Sequence, residues 1–116
     1  MSKKLEELRS KVASLKGSGT ILKVADLESK VFVLDVEVTK MVEGQYGEQL
    51  LIVATYLEGE LNHKKGDNVR LYLNNRRQEV FDTAYIGEGK YAFVFGDKTK
   101  MKNGFDYIPL ELVEQV

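Results

Sequence analysis

The chain has 116 residues and a net charge of −1, with 43% hydrophobic and 30% charged residues. This length and composition predict one soluble globular domain with a single core, and they exclude a disordered chain. Because the sequence has no cysteine and one histidine, disulfides and thiolate metal sites are excluded, and we expect no metal, no cofactor and no covalent catalysis. No apolar run approaches the roughly 18 residues of a membrane span and no signal-peptide pattern is present, so we expect a cytoplasmic location.

The first predicted element is an amphipathic helix that Ser2 can cap and that Gly17–Gly19 ends. Its apolar residues recur every three or four positions, on one stripe: Leu5, Leu8, Val12 and Leu15. Such a stripe either docks on the rest of the domain or pairs with a second copy as a short coiled coil. We therefore divide the chain into a helix with a glycine linker, residues 1–19, and a β-domain, residues 20–116.

Two strands joined by a turn are predicted next, after an entry strand at Thr20–Val24. Phe32–Thr39 alternates apolar and polar residues, as a half-buried strand does. Glu43–Gly47 contains two glycines around Tyr46 and predicts a turn. Gln49–Leu57 is apolar on both faces, so we expect a central strand or one covered on both sides.

A polar loop and a third strand follow. The loop Leu57–Asp67 contains His63, which we interpret as a solvated side chain rather than a ligand. In Val69–Leu73 the apolar residues alternate with Arg70 and Tyr72, which predicts that these two side chains point outward, followed by Asn74.

The carboxyl-terminal third is predicted as helix, strand, turn and strand. Asn75 lies three residues before Gln78, which resembles a capping box, and Gly87 can end this short helix. Lys90–Phe95 alternates again, Gly96–Gly104 reads as a long turn, and Phe105–Leu112 as a final strand with an edge or bulge at Pro109.

Charge is distributed unevenly along the chain. Residues 26–60 contain eight acids and two lysines, a net charge of −6. Residues 64–77 carry a net +4 and residues 90–102 a net +3. The second half therefore has a basic side, which indicates either a surface for a polyanion or simply solvated faces.

Five short strands with one helix between the third and fourth resemble the OB-fold, a five-stranded, partly open Greek-key barrel. Phe81 and Tyr85 would then plug one end. The segment Tyr46–Leu50, YGEQL, is similar to a hairpin of replication-protein-A-like and phage single-stranded DNA-binding OB domains. The fold predicted is thus mainly β, an OB-fold barrel with an extra amino-terminal helix.

The resemblance implies that the chain binds single-stranded nucleic acid with low sequence specificity. DNA is the expected ligand, as it is for the OB domains of DNA-replication proteins. Tyrosines would stack on bases and cations would neutralise phosphates. The positions implied are Tyr46, Tyr56, Arg70, Tyr72, Asn74, Lys98, Lys100 and Lys102. Packing against the leading helix or a partner subunit is the other explanation for Tyr56 and Tyr72.

A second hypothesis is a protein-interaction or assembly module, in which the stripe of Leu5, Leu8, Val12 and Leu15 pairs subunits or docks. A third, catalysis, would start from Asp35 and Glu37 on one strand face. Since these two acids belong to an acidic run, a solvated face explains them, and we expect no enzyme.

Overall fold

The computed structural model describes residues 19–44 and 47–116. The predicted leading helix, its leucine stripe and Tyr46 lie outside the described residues. Within the described part, no helix combines the length and the apolar character needed to cross a membrane.

The described chain is mainly β, as predicted. Six strands form the main sheet: β1 Thr20–Leu22, β2 Val31–Gly44, β3 Gly47–Gly59, β4 Asn68–Leu73, β5 Gly89–Phe95 and β8 Leu110–Gln115. A small hairpin pairs β6 Thr99–Lys100 with β7 Asp106–Tyr107. The helices are a 3-10 turn, Val24–Asp26, and α1, Asn75–Ala84. The helix α1 lies between the third and fourth strands of the predicted set, where the sequence predicts it.

The main sheet contains a Greek key. Its strand order is β1-β4-β3-β2-β5-β8, and β2, β3 and β4 are antiparallel neighbours. The chain then returns through α1 to place β5 antiparallel beside β2, the spatial order that defines a Greek key.

The prediction of a five-stranded, partly open barrel is wrong: the described sheet has six strands and does not curl into a barrel. The cause lies at the β4 edge, where β1 pairs in parallel, with Thr20 opposite Val69 and Leu22 opposite Leu71. Since β1 occupies the hydrogen-bonding groups of that edge, β8 pairs only with β5, and β1 and β8 remain at opposite ends.

Aromatic rings fill the core between the sheet and α1. Phe81, the fully buried residue of α1, stacks on Tyr85 at 4.8 Å between ring centres and on Phe93 at 6.0 Å. Phe32 in turn stacks on Phe93 at 5.6 Å. Phe81 is thus buried with Tyr85 beside it, but the two do not plug the end of a barrel as predicted, because the sheet does not form one.

The predicted final strand, Phe105–Leu112, is wrong in extent. Residues 106–107 belong to the small hairpin, and β8 begins at Leu110, directly after Pro109. The long turn predicted at residues 96–104 accordingly contains a strand, β6, and joins β5 to β8 through a folded hairpin.

Candidate nucleic-acid interface

Tyr56 lies in the core, so the prediction that it offers a ring to a base is wrong. The side chain is 2% exposed, and its hydroxyl lies 3.3 Å from Leu61 N and 3.4 Å from Leu61 O. Tyr56 alternates in phase with Ile52 and Ala54 along β3 and lies opposite Leu34 of β2. Both side chains consequently face the core cluster.

Arg70 and Tyr72 share the sheet face that points away from the core, as predicted, but they are not open to solvent. Arg70 is 8% exposed and Tyr72 is half-buried. The prediction that Arg70 is presented to a ligand is therefore wrong for this conformation, because a buried guanidinium cannot reach a phosphate without local rearrangement.

Asn74 is the N-cap of α1. Its Oδ1 accepts a hydrogen bond from Arg77 N at 3.0 Å and one from the Tyr107 hydroxyl at 3.4 Å. The side chain is thus occupied in holding the first turn of the helix, one residue before the cap position predicted from the sequence.

Lys98, Lys100 and Lys102 are exposed on the small hairpin. Thr99 is paired with Tyr107 and Lys100 with Asp106, and Met101 N donates to Phe105 O at 2.8 Å across the turn. Because side chains alternate along a strand, Lys98 and Lys100 point away from the face that carries Thr99.

The hairpin face that carries Thr99 and Tyr107 packs on the first turn of α1. The Arg77 guanidinium lies 4.5 Å from the centre of the Tyr107 ring, and Arg77 Nε donates to Ile108 O at 2.9 Å. Burial lowers the pKa of Arg77, which remains charged at neutral pH. Arg76 lies 5.8 Å from the same ring, and its Nη1 lies 3.6 Å from Met101 Sδ.

The other end of the hairpin is tied to the segment before β2. Lys98 N donates to Glu28 Oε2 at 2.9 Å, and the Ser29 hydroxyl donates to Asp97. The hairpin is therefore fixed at both ends, and its lysines project from a positioned element.

We name this region the basic hairpin surface, which consists of Arg76, Lys98, Lys100, Lys102 and Phe105. The four cations are exposed, and the hairpin contributes two acids, Asp97 and Asp106. The Phe105 side chain is 72% exposed just after the turn of the same hairpin. Sequence reasoning missed Arg76 and Phe105: Arg76 counted only as part of a basic run, and Phe105 was assigned to a strand.

Strands β3 and β4 are joined by a loop in which the histidine has a structural contact. His63 Nδ1 lies 3.3 Å from Asp67 Oδ2, and Lys64 N donates to the same oxygen at 2.9 Å. The hydrogen bond from the Lys64 backbone lowers the pKa of Asp67 below its ordinary value, with a smaller contribution from His63. Among residues 19–44 and 47–116, no group of three histidine, cysteine or acidic side chains could hold a metal.

Comparisons of the chain with protein-family models, with curated proteins and with solved structures find no match.

Proposed function

We propose that the chain binds single-stranded nucleic acid, DNA in the first place and with little sequence preference, through the basic hairpin surface. The observation that carries this proposal is that one short hairpin bears both an exposed aromatic ring, Phe105, and three exposed lysines, Lys98, Lys100 and Lys102. An exposed aromatic ring can stack on any base, which contributes roughly 1–3 kcal/mol per base, while lysines neutralise phosphates without reading sequence.

The topology supports the same proposal. A Greek key with a helix before the fourth strand resembles an OB-fold in an open form, and OB-folds bind their ligands beside the loop that joins the last two barrel strands. In this chain, that loop is the segment between β5 and β8, which carries Lys98, Lys100 and Lys102. The resemblance therefore favours the same hairpin that its charge and exposed aromatic ring single out.

The strand residues first implied by the resemblance contribute less. Tyr56 and Arg70 are buried, Asn74 caps α1, and half-buried Tyr72 lies on the sheet face away from the core. We therefore assign the contact to the hairpin alone. The alternative, an assembly module, depends on the leucine stripe, which lies outside the described residues.

A titration of the full chain against fluorescent poly-dT tests the proposal. We expect saturable binding at micromolar protein in about 50 mM salt and a steep loss of affinity by about 200 mM, because binding releases condensed counterions. A poly-U oligonucleotide run in parallel distinguishes DNA from RNA preference. Absence of binding to both oligonucleotides at the lower salt concentration would overturn the proposal, since low salt is its most favourable condition.

A further inference from the structure

Three side chains are buried on the side of the sheet that faces away from the core. Along β3, Leu50, Ile52 and Ala54 belong to the core cluster, whereas Leu51 and Val53 alternate to the other face. Val53 is paired with Arg70 of β4. Leu51, Val53 and Arg70 are only 7%, 5% and 8% exposed. We name these three residues the outer face.

The described helices do not account for this burial. Phe81 of α1 belongs to the core cluster, and Val24 of the 3-10 turn packs against the same cluster. Both helices of the described chain therefore lie on the opposite side of the sheet. The side chains at the borders of the outer face are open, with Ile21 52% and Val38 36% exposed, so the cover is confined to its centre.

We propose that the outer face is the docking site of the chain's own residues 2–15, which lie on it as an amphipathic helix with Leu5, Leu8, Val12 and Leu15 against Leu51 and Val53. Such a stripe needs an apolar surface, and Leu51 and Val53 provide one on β3, two strands from β1, where the segment joins the sheet. The segment has a net charge of +2, from four cations against Glu6 and Glu7, so the placement rests on apolar contact and on the path of the chain.

The path of the chain fits this placement. Gly19 has a φ of +141°, and a Cβ built there would lie 3.3 Å from Asn68 O, so the chain enters the sheet in close contact with the start of β4. A helix of 14 residues is about 21 Å long, more than enough to cover side chains on β3 and β4, two strands spaced about 4.8 Å apart. The four residues 16–19 can span up to roughly 13 Å, sufficient for the chain to turn from the face to the edge.

Thiol accessibility in the full chain tests the proposal cleanly, because the sequence has no cysteine. In Val53→Cys, we expect a thiol reagent to react at least about tenfold more slowly than in Leu112→Cys, whose side chain is 46% exposed on β8. Adding Leu8→Glu and Val12→Glu should raise the Val53→Cys rate about tenfold and leave the Leu112→Cys rate unchanged. Leu51→Cys replaces Val53→Cys if circular dichroism shows that the latter does not fold.

Two results would overturn the proposal. One is a rate for folded Val53→Cys that equals that of Leu112→Cys or does not respond to the two glutamates. The other is protection that disappears on dilution from about 100 to 1 µM, which would identify a second copy as the cover by mass action. The proposal is independent of nucleic-acid binding, since thiol rates are measured without any oligonucleotide.

Discussion

Arg77 and Tyr107 join the basic hairpin to the helix, with the guanidinium carbon 4.5 Å from the ring centre. Arg77 Nε also donates to the backbone carbonyl of buried Ile108. Arg77→Ala therefore removes both the cation–π contact and the hydrogen-bond donor to that carbonyl. We expect a loss of about 1–3 kcal/mol in the free energy of unfolding, measured by urea denaturation.

The neighbouring Arg76 provides the matched control for this prediction. It precedes Arg77 on α1 and is exposed, 5.8 Å from the same ring. Arg76→Ala should therefore change the free energy of unfolding by less than about 0.5 kcal/mol. Equal losses in the two variants would contradict a specific role for Arg77 in holding the hairpin.

Asn74 caps α1 in the structure, and we expect this cap to contribute to the free energy of unfolding. Asn74→Ala removes the acceptor of Arg77 N and is expected to cost about 0.5–2 kcal/mol, whereas Asn74→Asp retains a cap. Asn75→Ala, one position later on the exposed first turn, should be nearly neutral. A larger loss from Asn75→Ala than from Asn74→Ala in thermal or urea unfolding would move the cap to Asn75.

The Tyr91 hydroxyl closes the connection between α1 and β5. It donates to Gly87 O at 2.8 Å and accepts from Ile86 N at 3.0 Å, and the side chain is fully buried. Tyr91→Phe leaves both backbone groups without this partner, so we expect a loss of about 1–3 kcal/mol in the free energy of unfolding.

Tyr56→Phe is the corresponding control for a buried tyrosine. Its hydroxyl contacts Leu61 at 3.3 and 3.4 Å, longer and weaker contacts than those of Tyr91. The loss should be smaller than in Tyr91→Phe. If urea denaturation gives the reverse order, the hydroxyl contacts do not determine the contribution of these two residues.

Much of the fold could be predicted because hydrophobic periodicity reports burial directly. Tyr91, Phe93 and Phe95 alternate in the sequence and are all buried in β5, and the two apolar faces of Gln49–Leu57 indicate correctly a strand covered on both sides. The helix at residues 75–84 follows from its apolar positions and its asparagine start. These features depend on local pattern alone.

The errors arise where contacts distant in sequence decide the outcome. Tyr56 is in phase with Leu50, Ile52 and Ala54 and faces the core with them, but because Gln49–Leu57 is apolar on both faces, its pattern does not show which face the core covers. Alternation correctly predicts that Arg70 points away from the core. It does not predict that Arg70 is buried, because alternation does not show whether another part of the chain covers that face of the sheet. The sheet stays open because the three-residue strand β1 pairs with β4. The hydrophobic pattern of three residues is too short to predict which strand they pair with.

Asp67 predicts a pH dependence of stability. Its folded pKa is lowered, chiefly by the Lys64 backbone, so the ionised form stabilises the native state at pH values above the unfolded pKa of about 3.9. As the pH falls through the lower folded pKa, this contribution disappears. Asp67→Asn should therefore melt below the wild type at neutral pH, and the difference should shrink in acid.

Differential scanning fluorimetry between about pH 2 and 7 measures this effect. Asp82→Asn, which alters an exposed aspartate on α1, serves as the control. A melting-temperature difference for Asp67→Asn that stays constant across this range would show that the carboxylate acts through something other than its charge.

The basic hairpin surface predicts which cations set the salt dependence of nucleic-acid binding. Lys98→Ala with Lys100→Ala should weaken poly-dT binding and reduce the slope of log affinity against log salt by up to about 1.4, because each neutralised phosphate contributes about 0.7 for a single strand. Lys64→Ala with Lys65→Ala removes the same charge from the exposed loop before β4 and should leave the slope nearly unchanged. Phe105→Ala should lower affinity without changing the slope, since stacking releases no counterions. If the two lysine pairs lower the slope equally, net charge rather than the hairpin determines binding.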